Sequence, residues 1–156
     1  MRFALRFTVA AALLFAFAGS ALAQTYTATL SGLQEVPPNA SPATGTASFT
    51  LDANKILHYN MAFSGLVAPQ TAAHIHGPAA PDENAPVIFP FFFGSPQIGA
   101  WPNPLTGIQE LWLNSGLVYC NVHSTAFPGG EIRGQILRDT VGTESETISV
   151  IKAFYR

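Results

Sequence analysis

Short segments in which apolar and polar residues alternate restrict this fold more than any other feature of the sequence. Residues 44–51 alternate in this way, a turn follows at 52–55, and residues 56–64 alternate again. A period of two is typical of a β-strand with one buried face, because successive side chains point to opposite sides. Glycine and proline, 13 and 12 residues in all, break the pattern at short intervals. The sequence therefore predicts an all-β fold with tight turns.

Several further segments either alternate or form apolar runs bounded by turn residues. Pro90 lies inside one of them, which marks that segment as an edge strand or a bulge. One helix is expected, because Thr106 and Gln109 have capping-box spacing and Gly116 follows as a stop signal. This pattern predicts an antiparallel β-sandwich or flattened barrel with one short helix. The further predicted strands cover residues 26–30, a short strand around 74–76, 87–93, 97–101, 117–123 and 131–137.

The first 23 residues have the three parts of a secretory signal peptide. A basic start that contains Arg2 and Arg6 precedes an apolar run at 7–18, and the small-x-small site Ala21-Leu22-Ala23 follows. The apolar run is too short to span a membrane. The sequence thus predicts export, to the periplasm or the cell exterior.

One folded domain is expected over residues 24–138, with a C-terminal tail at 139–156 in which 147–154 could add a strand. Charged residues make up only 10% of the chain, and two of its seven basic residues belong to the leader. So few cations provide no binding surface for nucleic acid or anionic lipid. No later apolar stretch is long enough to be a membrane span. Cys120 is the single cysteine, and we interpret it as a small buried hydrophobic residue.

Three histidines carry the strongest chemical signal in the sequence. His74 and His76 lie one residue apart on a predicted strand, so their side chains project from one face, opposite Ala73 and Ile75. His123 has the corresponding phase on a second predicted strand. If the apolar residues are core, all three imidazoles point outward and can form a metal site at the surface. Three imidazoles without thiolates suit copper, zinc or nickel.

The alternative for these histidines is that they make hydrogen bonds to neighbouring loops and bind nothing. His58 is interpreted as a surface residue of its strand. Catalytic signatures such as a nucleophile elbow or a phosphate-binding loop are absent from the sequence. We interpret Glu131 and Arg133, which share one side of their strand, as structural, with Arg133 paired to Glu35.

Four motifs follow one another along most of the chain after the leader. They are LSGLQEVPP at 30–38, FSGL at 63–66, AAHIHGPA at 72–79, and YCNVH at 119–123 followed by FPGGEIRGQ at 127–135. In this order they resemble the CHRD (chordin-type) domain family. Proteins of this family include exported bacterial proteins and chordin, an extracellular regulator of growth factors, and the domain has no generally assigned activity. The resemblance implies an exported binding domain that can engage a protein partner.

The chain is also, more faintly, similar to copper/zinc superoxide dismutases, in which a Gly-Leu turn leads into a His-x-His strand and a later Val-His precedes a glycine turn. This resemblance implies a Greek-key β-barrel and places His74, His76 and His123 on three copper ligands. The bridging histidine and the zinc-loop ligands have no counterpart here. Glu131 stands where the enzyme has an anion-guiding arginine, and a carboxylate there would repel superoxide.

Three hypotheses about function follow. The first is an exported CHRD-domain binding protein that holds one copper ion through His74, His76 and His123, for sequestration or delivery. The second is a copper-only redox enzyme that acts on superoxide or peroxide. We favour this hypothesis less than a protein without catalytic activity. The third is a metal-free extracellular interaction module that uses residues 87–93 or the proline-rich loop before them.

Overall fold

A curled sheet of nine strands makes up most of the structure, a computed structural model in which residues 23–139 are described. Eight strands follow one another in the sheet order β5-β4-β7-β8-β1-β2-β3-β6, the ninth pairs with β1, and every pair is antiparallel. The elements are β1 (Gln24–Ser31), a 3-10 turn (Gly32–Gln34), β2 (Thr44–Leu51), β3 (Leu57–Ser64), β4 (Gln70–His76), β5 (Val87–Pro90), β6 (Gln97–Ala100), α1 (Gly107–Asn114), β7 (Tyr119–Ser124), β8 (Ile132–Gln135) and β9 (Leu137–Arg138).

The strands β1, β2 and β3 form a meander in which β2 and β3 pair along their whole length. On β3, Leu57, Tyr59 and Met61 are buried, whereas His58 and Asn60 between them are exposed. This is the alternation that the sequence predicts for a strand with one face on the core.

One carboxylate holds the turn between β2 and β3. Asp52 Oδ1 accepts hydrogen bonds from the backbone N–H groups of Asn54 and Ile56, at 2.8 and 2.9 Å. Lys55 takes a positive φ of 63° at the end of this turn. An Asp side chain that bonds its own backbone two residues on is a common turn former, and here it fixes the hairpin register.

Aromatic side chains join the two ends of the sheet across the core. Tyr59 on β3 lies edge-on to Phe89 of β5 and to Phe91, with ring centroids 6.0 and 4.7 Å away. Phe89 also stacks on Trp101, which follows β6, at 5.1 Å. β5 and β6 are the two ends of the strand order. These aromatic contacts between the two ends therefore require the sheet to curl into a flattened half-barrel.

The helix α1 begins and ends where the sequence predicts. The Thr106 hydroxyl accepts from the Gln109 backbone N–H at 3.3 Å, and Gln109 Oε1 accepts from the Thr106 N–H at 2.9 Å. This is the reciprocal capping box. Gly116, with φ of 67°, turns the chain away after the last helical residue.

The prediction of an all-β fold with one short helix is confirmed, and β5 with its Pro90 lies at an edge of the sheet. Between residues 23 and 139, no helix is long and apolar enough to cross a membrane. The predicted signal peptide, except its last residue, and the tail strand at 147–154 lie outside the described residues. They and the domain limits remain predictions.

Candidate metal site

Two neighbouring strands, β4 and β7, carry the three histidines that the sequence singles out. In their antiparallel register His74 lies opposite Asn121, and His123 follows Asn121 by two residues on β7. Ala73 and Ile75 of β4 are 2% and 0% exposed in the core. The two histidines of β4 therefore project from the other face of the sheet, as predicted.

The three imidazoles form one cluster on that face. His74 Nδ1 lies 3.0 Å from His123 Nε2. One ring nitrogen from each of His74, His76 and His123 can be chosen so that all three lie within 4.8 Å of one another. Two nitrogens bound to one ion at about 2.0–2.1 Å lie at most about 4.2 Å apart, so a shift of a few tenths of an ångström in the side chains brings all three within range of a common ion. The cluster could thus hold a metal ion.

Backbone carbonyls fix two of the three rings. His76 Nδ1 donates to the Ala85 carbonyl at 2.9 Å, and His123 Nδ1 donates to the Pro128 carbonyl, also at 2.9 Å. A carbonyl only accepts, so the proton of each neutral ring lies on Nδ1 and the lone pair on Nε2. Metal-binding histidines generally show this arrangement, in which the second ring nitrogen donates to a fixed acceptor.

Burial determines the protonation of the cluster. It lowers the pKa of His74, His76 and His123, and the neighbouring imidazoles lower the pKa of His74 further. The neutral imidazole is the form that binds a metal ion. His76 and His123 are only 8% and 9% exposed. The cluster therefore faces away from the core but is largely covered, which differs from the surface position that the sequence suggested.

A loop over residues 77–86 covers His76, and Arg133 of β8 holds this loop in place. The guanidinium, 1% exposed, donates to the backbone carbonyls of Glu83 at 2.8 Å and Ala80 at 3.1 Å. The same loop supplies the carbonyl that accepts from His76. Arg133 thus positions His76 through the loop, without touching the cluster itself.

The predicted ion pair between Arg133 and Glu35 is wrong, because no contact within 4.0 Å joins the two charged groups. The donors of Arg133 are directed to loop carbonyls instead. Glu35 is 5% exposed, and its Oε1 has no hydrogen-bond partner. Burial raises the pKa of Glu35 to about 7, although the charge of Arg133 and a hydrogen bond from the Asn121 side chain act in the opposite direction.

Glu131 is completely buried, and its contacts are those of a structural residue. Its Oε1 accepts from Ser41 Oγ at 2.7 Å and from the Val67 backbone N–H at 2.8 Å.

Cys120 is also buried, and desolvation raises the pKa of its thiol to about 12. A thiol that stays protonated at neutral pH is a poor nucleophile and a poor ligand, as expected for a residue of the core.

Sequence reasoning missed one residue of the cluster, Asn121. It is 2% exposed, and its Oδ1 lies 3.1 Å from His76 Nε2 and 3.0 Å from His123 Nε2. The same strand phase that selected His123 also selects Asn121, so that signal was present in the sequence. His58, in contrast, does not belong to the cluster. Its Nε2 lies 3.1 Å from Asp52 Oδ2 instead.

A family model for the CHRD domain matches residues 26–136. This range begins in β1, ends after β8 and includes all three histidines of the cluster. No curated protein and no solved structure matches the chain.

Proposed function

Since this chain belongs to the CHRD domain family, we propose that it is an exported binding protein whose domain holds one copper ion through His74, His76 and His123. The role is sequestration of the ion or its delivery to a partner. A family of binding domains supports the general class, and the histidine cluster supports the metal.

The convergence of three ring nitrogens on one face of β4 and β7 is the observation that carries this proposal. Two of these rings carry their lone pairs on Nε2, the atoms directed into the cluster, because Nδ1 donates to a carbonyl. Imidazole ligands of this kind suit copper, and no carboxylate among the described residues joins the cluster, which disfavours magnesium and calcium.

The surroundings of the cluster favour a carrier over a dismutase. An enzyme that acts on superoxide gains from an exposed cation that attracts the anion. Arg133 is 1% exposed and its guanidinium donates to loop carbonyls, so it does not present a charge to an approaching anion. Glu131 supplies no cation at the position that the enzyme resemblance would require.

The test is metal retention by the purified domain. Wild type and His76→Ala are loaded with copper, freed of excess ion by gel filtration, and analysed for bound metal. We expect about one copper per chain in wild type and a large loss in the variant. His58→Ala is the matched control, because it removes an imidazole that contacts Asp52 rather than the cluster. Equal and negligible copper in all three proteins would contradict the proposal and favour a metal-free interaction module.

If copper binds, the rate of superoxide decay at low and high salt separates carrier from enzyme. We expect a rate no higher than that of a copper-free control protein. A fast decay that slows with salt would instead establish the enzyme.

Export is tested separately, by expressing the full chain in a bacterium and sequencing the N-terminus of the periplasmic product, which we expect to begin at Gln24.

A further inference from the structure

We infer that Asn121 supplies a fourth, oxygen ligand to the ion at the histidine cluster and makes the site selective for Cu(II) over Cu(I). This inference rests on the proposed function and adds to it the donor set and the preferred oxidation state. Four observations on Asn121 and its neighbours support it.

The first observation is the position of the amide oxygen. Asn121 is 2% exposed and projects from the same face of β7 as His123. Its Oδ1 lies 3.1 Å from His76 Nε2 and 3.0 Å from His123 Nε2. The oxygen is thus placed between the two nitrogens that keep their lone pairs.

The second observation concerns the protons at this point. His76 and His123 each donate from Nδ1 to a carbonyl, so the Nε2 atoms of the neutral rings carry lone pairs. An amide oxygen also carries only lone pairs. The two Nε2 atoms lie 3.1 and 3.0 Å from that oxygen, and His123 Nε2 also lies 3.0 Å from His74 Nδ1. Acceptors this close need a proton or a positive charge among them. A metal ion bound to all of them supplies that charge.

The third observation is which end of the amide faces the cluster. The atom that lies 3.1 Å from His76 Nε2 and 3.0 Å from His123 Nε2 is the amide oxygen, Oδ1, rather than the amide nitrogen. The oxygen is therefore the donor atom that Asn121 presents to the two rings.

The fourth observation is the spacing of the donors. With metal–ligand bonds of about 2.0–2.1 Å, adjacent ligand atoms lie about 2.9 Å apart in a square-planar site and about 3.3 Å apart in a tetrahedral one. The distances from Asn121 Oδ1 to the two Nε2 atoms, 3.0 and 3.1 Å, fall inside this interval. The distance between His74 Nδ1 and His123 Nε2, 3.0 Å, does so as well.

An oxygen donor changes the preference of the site. Cu(I) favours soft sulfur ligands, whereas Cu(II) favours nitrogen and oxygen in tetragonal arrangements. Three imidazoles and one amide oxygen therefore stabilise Cu(II) more than three imidazoles alone would. Loss of the oxygen should weaken Cu(II) binding and leave Cu(I) binding nearly unchanged.

The experiment measures both affinities, by competition with Cu(II) and Cu(I) chelators, in wild type, Asn121→Leu and Asn121→Asp. Leucine has a similar shape without a donor, and aspartate retains an oxygen. We expect Asn121→Leu to lose about tenfold or more in Cu(II) affinity. A selective tenfold loss raises the Cu(II)/Cu(I) potential by about 59 mV. Asn121→Asp should keep or exceed the Cu(II) affinity of wild type.

Pulsed EPR of the Cu(II) proteins in ¹⁷O-labelled water provides a second readout, which folding stability does not affect. In Asn121→Leu, water should replace the missing oxygen, and a ¹⁷O coupling absent or weaker in wild type should appear. The inference fails if wild type binds copper but Asn121→Leu shows the same affinity ratio and the same coupling. If wild type retains no copper in either state, the proposed function itself fails, together with this inference.

Discussion

The imidazole of His76 lies parallel to the ring of Tyr119, with 1° between the planes and 4.8 Å between the centroids. The guanidinium of Arg133 lies over the same Tyr119 ring, 3.5 Å from its centroid. Because β4 and β8 flank β7 on opposite sides, His76 and Arg133 occupy opposite faces of Tyr119. His76 is therefore fixed by a three-layer stack as well as by its bond to the loop.

Removal of the Tyr119 ring should weaken metal binding without touching a ligand. We expect Tyr119→Leu to lower copper affinity about tenfold, because support of a ligand by its neighbours is typically worth that much. Tyr119→Phe is the matched control, since it keeps the ring and loses only the bond that the hydroxyl accepts from the Ala85 N–H at 3.3 Å. Competition titrations measure both. Equal affinities in the two variants would show that the stack does not position His76.

Arg133→Met should destabilise the fold by more than about 2 kcal/mol, because it removes a buried guanidinium and its charge-assisted hydrogen bonds to the carbonyls of Glu83 and Ala80. Lys55→Met removes a cation from the half-exposed pair with Glu110 and should cost no more than about 1 kcal/mol. Urea unfolding followed by tryptophan fluorescence gives both values. A loss in Arg133→Met as small as that in Lys55→Met would contradict the role of the guanidinium in holding the loop.

Two adjacent glycines should respond very differently to alanine. Gly130 has φ of 135°, and a Cβ built there lies 2.6 Å from Cδ of Glu35, whereas a Cβ at Gly129 meets nothing within 4 Å. We expect Gly130→Ala to lower the free energy of unfolding by about 1–3 kcal/mol, through backbone strain and the clash. Gly129→Ala should stay within about 0.5 kcal/mol of wild type. Thermal unfolding of the pair tests this, and similar melting temperatures would refute it.

The buried carboxyl of Glu35 should make stability depend on pH. Its pKa rises from 4.5 to about 7 on folding, mainly through desolvation, so the folded state holds the proton more tightly. Stability from this group is complete below pH 4.5 and is lost as the pH rises through about 7. Glu35→Gln lacks this titration. We expect the stability of wild type relative to Glu35→Gln to fall by on the order of 3 kcal/mol over that interval. A difference that does not change with pH would contradict the assignment.

The strands and the common phase of the three histidines could be predicted because both depend on the period of two. Ala73 and Ile75 are core residues, so the phase of His74 and His76 follows without knowledge of the fold. His123 meets them because β4 and β7 are neighbours in the sheet. The period of two does not give that pairing, which only the fainter resemblance to copper/zinc superoxide dismutases implied.

The surroundings of the cluster could not be predicted in the same way. The partners of Arg133, His76 and His123 are backbone carbonyls of loops, and every residue type carries such a carbonyl. The expected partner of Arg133 was therefore a carboxylate, Glu35, whereas a loop took its place. The burial of the cluster is likewise a property of loop conformation, which alternation does not encode.

Alternate residues of β4 point to opposite sides of the sheet. Ala73 and Ile75 pack in the core, whereas His74 and His76 form part of the histidine cluster on the other face. The side chains that would hold an ion therefore lie outside the hydrophobic core. Small zinc domains are built in the opposite way, because their folding free energy comes from the ion. Under the proposed function, this separation would let an ion be released and taken up again while the core stays packed.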